Sequence, residues 1–218
     1  SSPFHFVTFI NEIEEGVLII GTFNSGLFLY DIKSNKLTEF MPDPGNPYAI
    51  SSNRLSYVYH SAEGVWWIGT YDNGLNIYSR NYVRFPSLTN MVDTKYIKDT
   101  RNSVYSFAET PDQRILLGTE NNGIYIFDKD DRSLQPAIPE LNDCVIFDIF
   151  RDKFNNFWIS TWINGLYQYN WNTQKLKRIE SLPVYTPPDF LNSLSRFYID
   201  RRNRQWFGSM NQGLMLYE

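Results

Sequence analysis

Five times in this chain, side chains able to touch a ligand sit in a short turn that a glycine closes. The sets are Phe23 and Asn24, Tyr71 and Asp72, Glu120 and Asn121, Trp162 and Asn164, and Met210 and Asn211. An aromatic platform beside amide or carboxylate groups can hold a sugar, the ring stacking on the apolar face and its hydroxyls meeting the polar groups. Asparagine also shapes turns through its own local hydrogen bonds, which accounts for most of these Asn residues. Trp162 differs, because a tryptophan at a hairpin turn exposes apolar area without a packing reason. Ligand binding and packing between sheets are equally open for it. Tyr71, Asp72, Glu120, Trp162 and Asn211 are the candidate ligand-binding residues.

Other chemistries find less support. A glycosidase needs two carboxyl groups roughly 5–9 Å apart. Asp72, Glu120 and Asp148 are available, but no acid recurs in a pattern that suggests a pair. With only His5 and His60, a multi-histidine metal site is excluded and a histidine general base has little to recommend it. No phosphate-cradling glycine loop and no nucleophile elbow occurs. No catalytic residue, metal or cofactor is expected.

The turns belong to a repeat. Ile20-Gly21-Thr22 leads to Tyr30, Ile68-Gly69-Thr70 to Tyr78, Leu117-Gly118-Thr119 to Phe127, Ile159-Ser160-Thr161 to Tyr169, and Phe207-Gly208-Ser209 to Tyr217. Spacings of 42 to 49 residues mean one supersecondary unit repeated. Short apolar runs, turn signals at Ala62-Glu63-Gly64 and Asp72-Asn73-Gly74, and a further run at 82–85 give four strands, A to D, in the second copy. The fold class is therefore all-β, a β-propeller of five four-stranded antiparallel blades near 4–40, 55–88, 103–136, 145–180 and 194–217. Strand A is expected at 6–12, 55–61, 103–109, 145–151 and 194–200. Strand B is expected at 17–22, 65–70, 114–119, 156–161 and 204–209, and strand C at 26–31, 74–79, 123–128, 165–170 and 213–217. The fifth blade lacks a strand D, so the reading is a single domain forming an incomplete ring from a larger propeller, with an open edge for another chain to cover.

Composition agrees. Aromatic residues make up 17% of the 218 residues and there are four alanines, a usage suited to pleated, packed sheets. The net charge is −4 and no Lys/Arg block stands out, which argues against nucleic acid or an anionic membrane surface as partner. No apolar run approaches the ~18 residues of a membrane span and no secretory leader is seen. The single Cys144 reads as a small buried hydrophobe. Trp66, Trp67, Trp158 and Trp206 read as packing between blades. The connectors 41–53, 86–102, 136–144 and 181–193 are long enough to be functional or loose, and they share one end of the blades with the B–C turns.

The phrase Trp67-Ile68-Gly69-Thr70, Gly74-Leu75, Tyr78 resembles the two-component regulator propeller repeat, and the resemblance covers essentially the whole chain. That repeat builds the periplasmic sensor region of hybrid two-component system proteins, whose histidine kinase lies elsewhere in the polypeptide. The resemblance implies a non-catalytic, periplasmic sensor domain for signal transduction, with an oligosaccharide as ligand and self-association or a neighbouring propeller domain as partner. A propeller glycosidase or polysaccharide lyase and a protein-interaction scaffold remain open. Ser160 replaces the glycine in the fourth copy and Ser209 the threonine in the fifth.

Aligning the innermost strands on the Gly-Thr phrase places Phe9, Tyr57, Ser106, Asp148 and Arg196 at one equivalent position. Mixed polarity there suits a central channel, and Asp148 and Arg196 are expected to face each other as a structural ion pair. The following residues, Ile10, Val58, Phe107, Ile149 and Phe197, are expected to pack between blades.

Overall fold

Thr70 shows why the repeated phrase carries the residues it does. Its hydroxyl donates to the Gly74 carbonyl at 3.0 Å and accepts the Asn73 N–H at 2.9 Å, closing the turn from inside. Thr22 does the same with Gly26 and Ser25, and Thr119 with Gly123 and Asn122. Thr161 donates to the Gly165 carbonyl at 2.7 Å. Ser209 keeps half of the device, accepting from Gln212 N–H at 3.1 Å. The closing glycine has a positive φ in every copy, 68° at Gly74 and 94° at Gly165, a region that side chains resist.

The structure, a computed structural model, describes residues 6–61, 63–79, 103–182, 186–187, 189–202 and 204–217. It is an all-β chain of the β-propeller class, with five antiparallel sheets whose strands follow chain order. The first sheet comprises β1 (Val7–Glu14), β2 (Val17–Thr22), β3 (Leu27–Asp31) and β4 (Lys36–Phe40). The second comprises β5 (Leu55–His60), β6 (Val65–Thr70) and β7 (Leu75–Ser79), and the fourth strand expected at 82–85 lies outside the described residues, as do His5 and the connector 86–102. The third comprises β8 (Val104–Glu109), β9 (Ile115–Thr119), β10 (Ile124–Phe127) and β11 (Leu134–Pro136). The fourth comprises β12 (Ile146–Arg151), β13 (Asn156–Thr161), β14 (Gly165–Asn170) and β15 (Lys175–Ile179). The fifth comprises β16 (Leu194–Ile199), β17 (Gln205–Ser209) and β18 (Gly213–Tyr217), three strands among the described residues.

The chain divides into two compact units, residues 1–105 with 130–134, and residues 106–129 with 135–218. In the first, Phe9, Ile19 and Leu27 of the first sheet pack against Leu55, Val58, Trp66 and Ile68 of the second. In the second, Leu116 and Ile124 meet Ile146, Ile149 and Phe157, and further along Leu166 meets Leu194, Phe197 and Phe207. Each such side chain, fully buried, stabilises by about 1.5–3 kcal/mol relative to an exposed one.

The described residues of the connectors 41–53, 136–144 and 181–193 are not merely polar. Ile50, Ile138, Leu141, Leu182, Phe190 and Leu191 are buried, so they carry core residues of their own. Short 3-10 turns at Pro139–Leu141 and Leu191–Ser193 turn them inward. Their ends also bond the B–C turns: Gly26 N–H donates to the Asn53 carbonyl, Gly123 N–H to Cys144 and Met210 N–H to Ser193. Each of these three connectors therefore ends beside a B–C turn, as expected from a meander. Ile10 departs from its expected burial. It is 56% exposed, whereas Val58, Phe107, Ile149 and Phe197 at the same position are at most 7% exposed.

At the opposite ends of the strands, two aspartates do what the threonines do at the B–C turns. Asp152 accepts from Phe154 and Asn156 N–H and from the Trp158 indole at 3.1 Å. Asp200 accepts from Arg202 and Arg204 N–H and from the Trp206 indole at 3.1 Å. Partial burial favours the acid form of Asp200, but these donors outweigh it and hold its carboxyl well below the usual range. Trp158, which also stacks on Phe197, and Trp206 are thus anchored at the strand ends.

Replacing Thr70 by valine keeps the shape and removes two hydrogen bonds at a buried site. The cost should be about 1–2 kcal/mol, measured by urea denaturation. Equal stability of the two proteins would show that the hydroxyl does not close the turn.

Candidate functional site

Strand β13 ends at Thr161 and the chain turns through Trp162, Ile163 and Asn164 before β14 begins. Trp162 N–H donates to the Val145 carbonyl at 2.9 Å, and its own carbonyl accepts from Asn164 N–H at 2.8 Å. Its ring meets Phe147 edge to face, with centroids 5.4 Å apart and planes at 67°. Phe147 occupies the irregular step in pairing between Ile146 and Asp148, a β-bulge that re-aims its side chain. Trp162 is 45% exposed, so the ring is braced from one side and open on another. Ile163 sits at φ 58°, a left-handed conformation in which a β-branched residue is strained.

Trp162 and Phe147 form one wall of a cavity of about 510 Å³. Met210 and Asn211, from the turn between β17 and β18, line it too. Asp189, Asn192 and Ser193 come from the connector before β16. The polar groups are tied together: Asn192 Nδ2 donates to Asp189 Oδ1 at 3.4 Å, and the Ser193 and Ser209 hydroxyls are 2.7 Å apart. Asn211 Oδ1 accepts from Ser209 Oγ at 3.2 Å. Of the candidate residues, the structure brings Trp162 and Asn211 together here. Asp189 and Asn192 were not legible in the sequence, since a connector has no repeat position to mark them. Phe147 had a signal, as the residue before Asp148 in the aligned inner strand.

Tyr71 and Asp72 belong to the other unit. Tyr71 packs edge to face against Phe23 at 5.1 Å and Tyr105 at 5.7 Å. The Arg54 guanidinium lies over Phe23 at 4.8 Å, and its Nη1 is 3.7 Å from Asp72 Oδ2. This is an aromatic cluster around a paired arginine, partly exposed. Glu120 is half-buried at the end of β9 and is not among the described residues lining the Trp162 cavity.

Asp148 and Arg196 occupy the expected register, opposite Ser160 and Gly208. They bridge β12 and β16 through the main chain. Asp148 Oδ2 accepts the Phe197 N–H at 2.8 Å and Oδ1 its neighbour Ile149 at 3.1 Å. Arg196 donates in the other direction, to the Phe147 carbonyl. The Arg196 charge acts on the Asp148 carboxyl, and two reciprocal side-chain to main-chain bonds join the same strands. Burial pushes the Asp148 carboxyl above its ordinary pKa, although the Arg196 charge and the two N–H donors oppose this.

No family model matches this chain, and no curated protein sequence does. Solved structures share its fold. The extracellular domain of a hybrid two-component system protein from B. thetaiotaomicron superposes with TM-score 0.78 at 18% identity, covering 97% of this chain and 27% of that one. A second such domain from the same organism gives 0.77 at 22% identity, covering 98% and 27%. The chain thus spans about a quarter of the length of these neighbours. Virginiamycin B lyase from Staphylococcus aureus gives 0.67 at 13% identity, covering 98% of this chain and 70% of the lyase. No helix among the described residues is long and apolar enough to cross a membrane.

The raised pKa of Asp148 has a readable sign. Its contribution to stability is fully present below the unfolded value, near 3.8, and is lost as pH rises through the folded value. The melting temperature of the wild type relative to Asp148→Asn should therefore fall between acid and neutral pH. A flat difference across that range would contradict the raised value. Asp148→Ala, which strands two buried N–H groups, should cost about 1–3 kcal/mol at any pH.

Proposed function

We propose that this chain is part of an extracytoplasmic sensor domain of a two-component signalling protein, and that it binds an oligosaccharide without catalysing a reaction. The observation that carries the reading is the half-exposed Trp162 ring, braced by Phe147 over a cavity whose other lining groups include Asp189, Asn192 and Asn211. Such a wall offers an apolar platform to a sugar ring, and amide and carboxylate groups within the same cavity suit its hydroxyls. The shared fold with extracellular domains of hybrid two-component system proteins supports a sensing role and a periplasmic location. The strain at Ile163 fits a turn shaped for contact more than for stability.

The lyase likeness supports a rival reading, a propeller enzyme. Against a glycoside hydrolase, Asp189 is the one acid among the described residues lining the cavity, whereas the usual hydrolytic route takes two. A protein-interaction scaffold calls for a broad apolar face, which a concave cavity with a polar side does not resemble.

Calorimetry against neutral oligosaccharides of increasing length tests the proposal. A binder should be found, and Trp162→Ala should weaken it by roughly 1–3 kcal/mol with the melting temperature kept. Product release from any polysaccharide, abolished in Asp189→Asn, would instead favour the enzyme.

A further inference from the structure

Two side chains of the Trp162 cavity also line a second one. Asp189 and Asn192 belong both to the cavity of about 510 Å³ beside Trp162 and to a neighbouring cavity of about 250 Å³. There they are joined by Gly165 at the start of β14, Arg178 of β15 and Glu180 just past its end. Gly165 is what opens this second space. Its φ is 94°, and the point where a Cβ would stand is 3.2 Å from Asn192 Oδ1 and 3.3 and 3.4 Å from Arg178 Nε and Nη2. An amide and a guanidinium therefore converge over bare backbone.

The groups that a ligand would have to displace are weakly held. Asn192 Nδ2 reaches Asp189 Oδ1 at 3.4 Å, long for a hydrogen bond, and the contact is exposed. Arg178 Nη1 is 3.9 Å from Glu180 Oε1, with the two side chains 47% and 76% exposed, a pairing that holds neither group firmly. Sugar hydroxyls, each both donor and acceptor, can replace such contacts at little cost. The two cavities also differ in kind. The first offers the Trp162 ring as an apolar platform, whereas Arg178, Glu180, Asp189 and Asn192 read hydroxyls. Among the described residues lining the second cavity, two carboxylates stand against one guanidinium, so a sugar unit with its own negative charge is repelled.

We propose that the two cavities are adjoining subsites of one site that takes a neutral oligosaccharide and not a single sugar. One unit stacks on Trp162, and the next is held by Arg178 and Glu180 across the boundary that Asp189 and Asn192 form. The assignment rests on the saccharide reading of the Trp162 cavity and adds to it the ligand's charge and its extension beyond one unit.

Calorimetry with gluco- and manno-oligosaccharides, from monosaccharide to hexasaccharide, tests this in the wild type and in Arg178→Ala, Glu180→Gln and Trp162→Ala. For a series that binds, affinity should rise about tenfold or more from the monosaccharide to the longer chains, the scale of a hydrogen bond to a charged group. Arg178→Ala should cost a long chain about tenfold more than it costs the monosaccharide, whereas Trp162→Ala should weaken every length. Oxidising the primary hydroxyls of the chain to uronates should weaken wild-type binding. Glu180→Gln should recover part of that loss, a gain that a poorly folded variant does not produce. Affinity independent of length, an Arg178→Ala loss equal at every length, or a uronate chain bound as tightly as the neutral one would overturn the two-subsite assignment and leave the saccharide reading standing. Binding by no saccharide in the panel would overturn the saccharide reading, and this assignment with it.

Discussion

Within each unit, successive sheets approach so closely that one methyl group at Gly69 or Gly118 would strike the neighbour's inner strand. Much else follows from this contact. It requires glycine at 69 and 118, and the facing Leu75 and Ile124 are buried completely. It also brings the opening residue of one sheet against the last turn of the sheet before it, so the B–C turns and the connectors lie side by side. Side chains on those turns then project from a stiff base. That suits a binding site, because little order has to be imposed when a ligand arrives.

Polar groups reinforce the apolar contact at defined points. The threonine hydroxyls close the turns on one face, and Asp152 and Asp200 close them on the other while anchoring a tryptophan each. Asp148 and Arg196 tie β12 to β16 through main-chain partners. The Asp148 arrangement is the costly one, since the carboxylate is buried and the nearby arginine compensates only in part. A buried acid kept in a solved junction is a specificity device in this account: a one-residue slip of β16 would move the Phe197 N–H away from it.

The strands were legible because their signal repeats five times and each copy corrects the others. The turn threonines and closing glycines, from Thr22 to Gly213, fall where one register puts them. The connectors were not legible: their buried residues, such as Ile138 and Phe190, recur at no fixed interval and take their burial from tertiary packing. The same limit applies to the candidate site. Trp162 and Asn211 could be marked by repeat position, while Asp189 and Asn192 could not. Tyr71, Glu120 and Trp162 were grouped by their equivalent positions, which put each at the B–C turn of its own sheet. Ile10 departed from the burial that its four equivalents share.

Fluorine NMR of the protein labelled with fluorotryptophan tests the central claim most directly, because each of the six tryptophans reports on its own surroundings. A Trp162→Phe sample assigns that resonance. With an oligosaccharide that binds by calorimetry, the Trp162 signal should shift through the titration, while Trp158 and Trp171, away from the cavity lining, hold still. A saccharide that binds and leaves Trp162 unmoved would contradict the account.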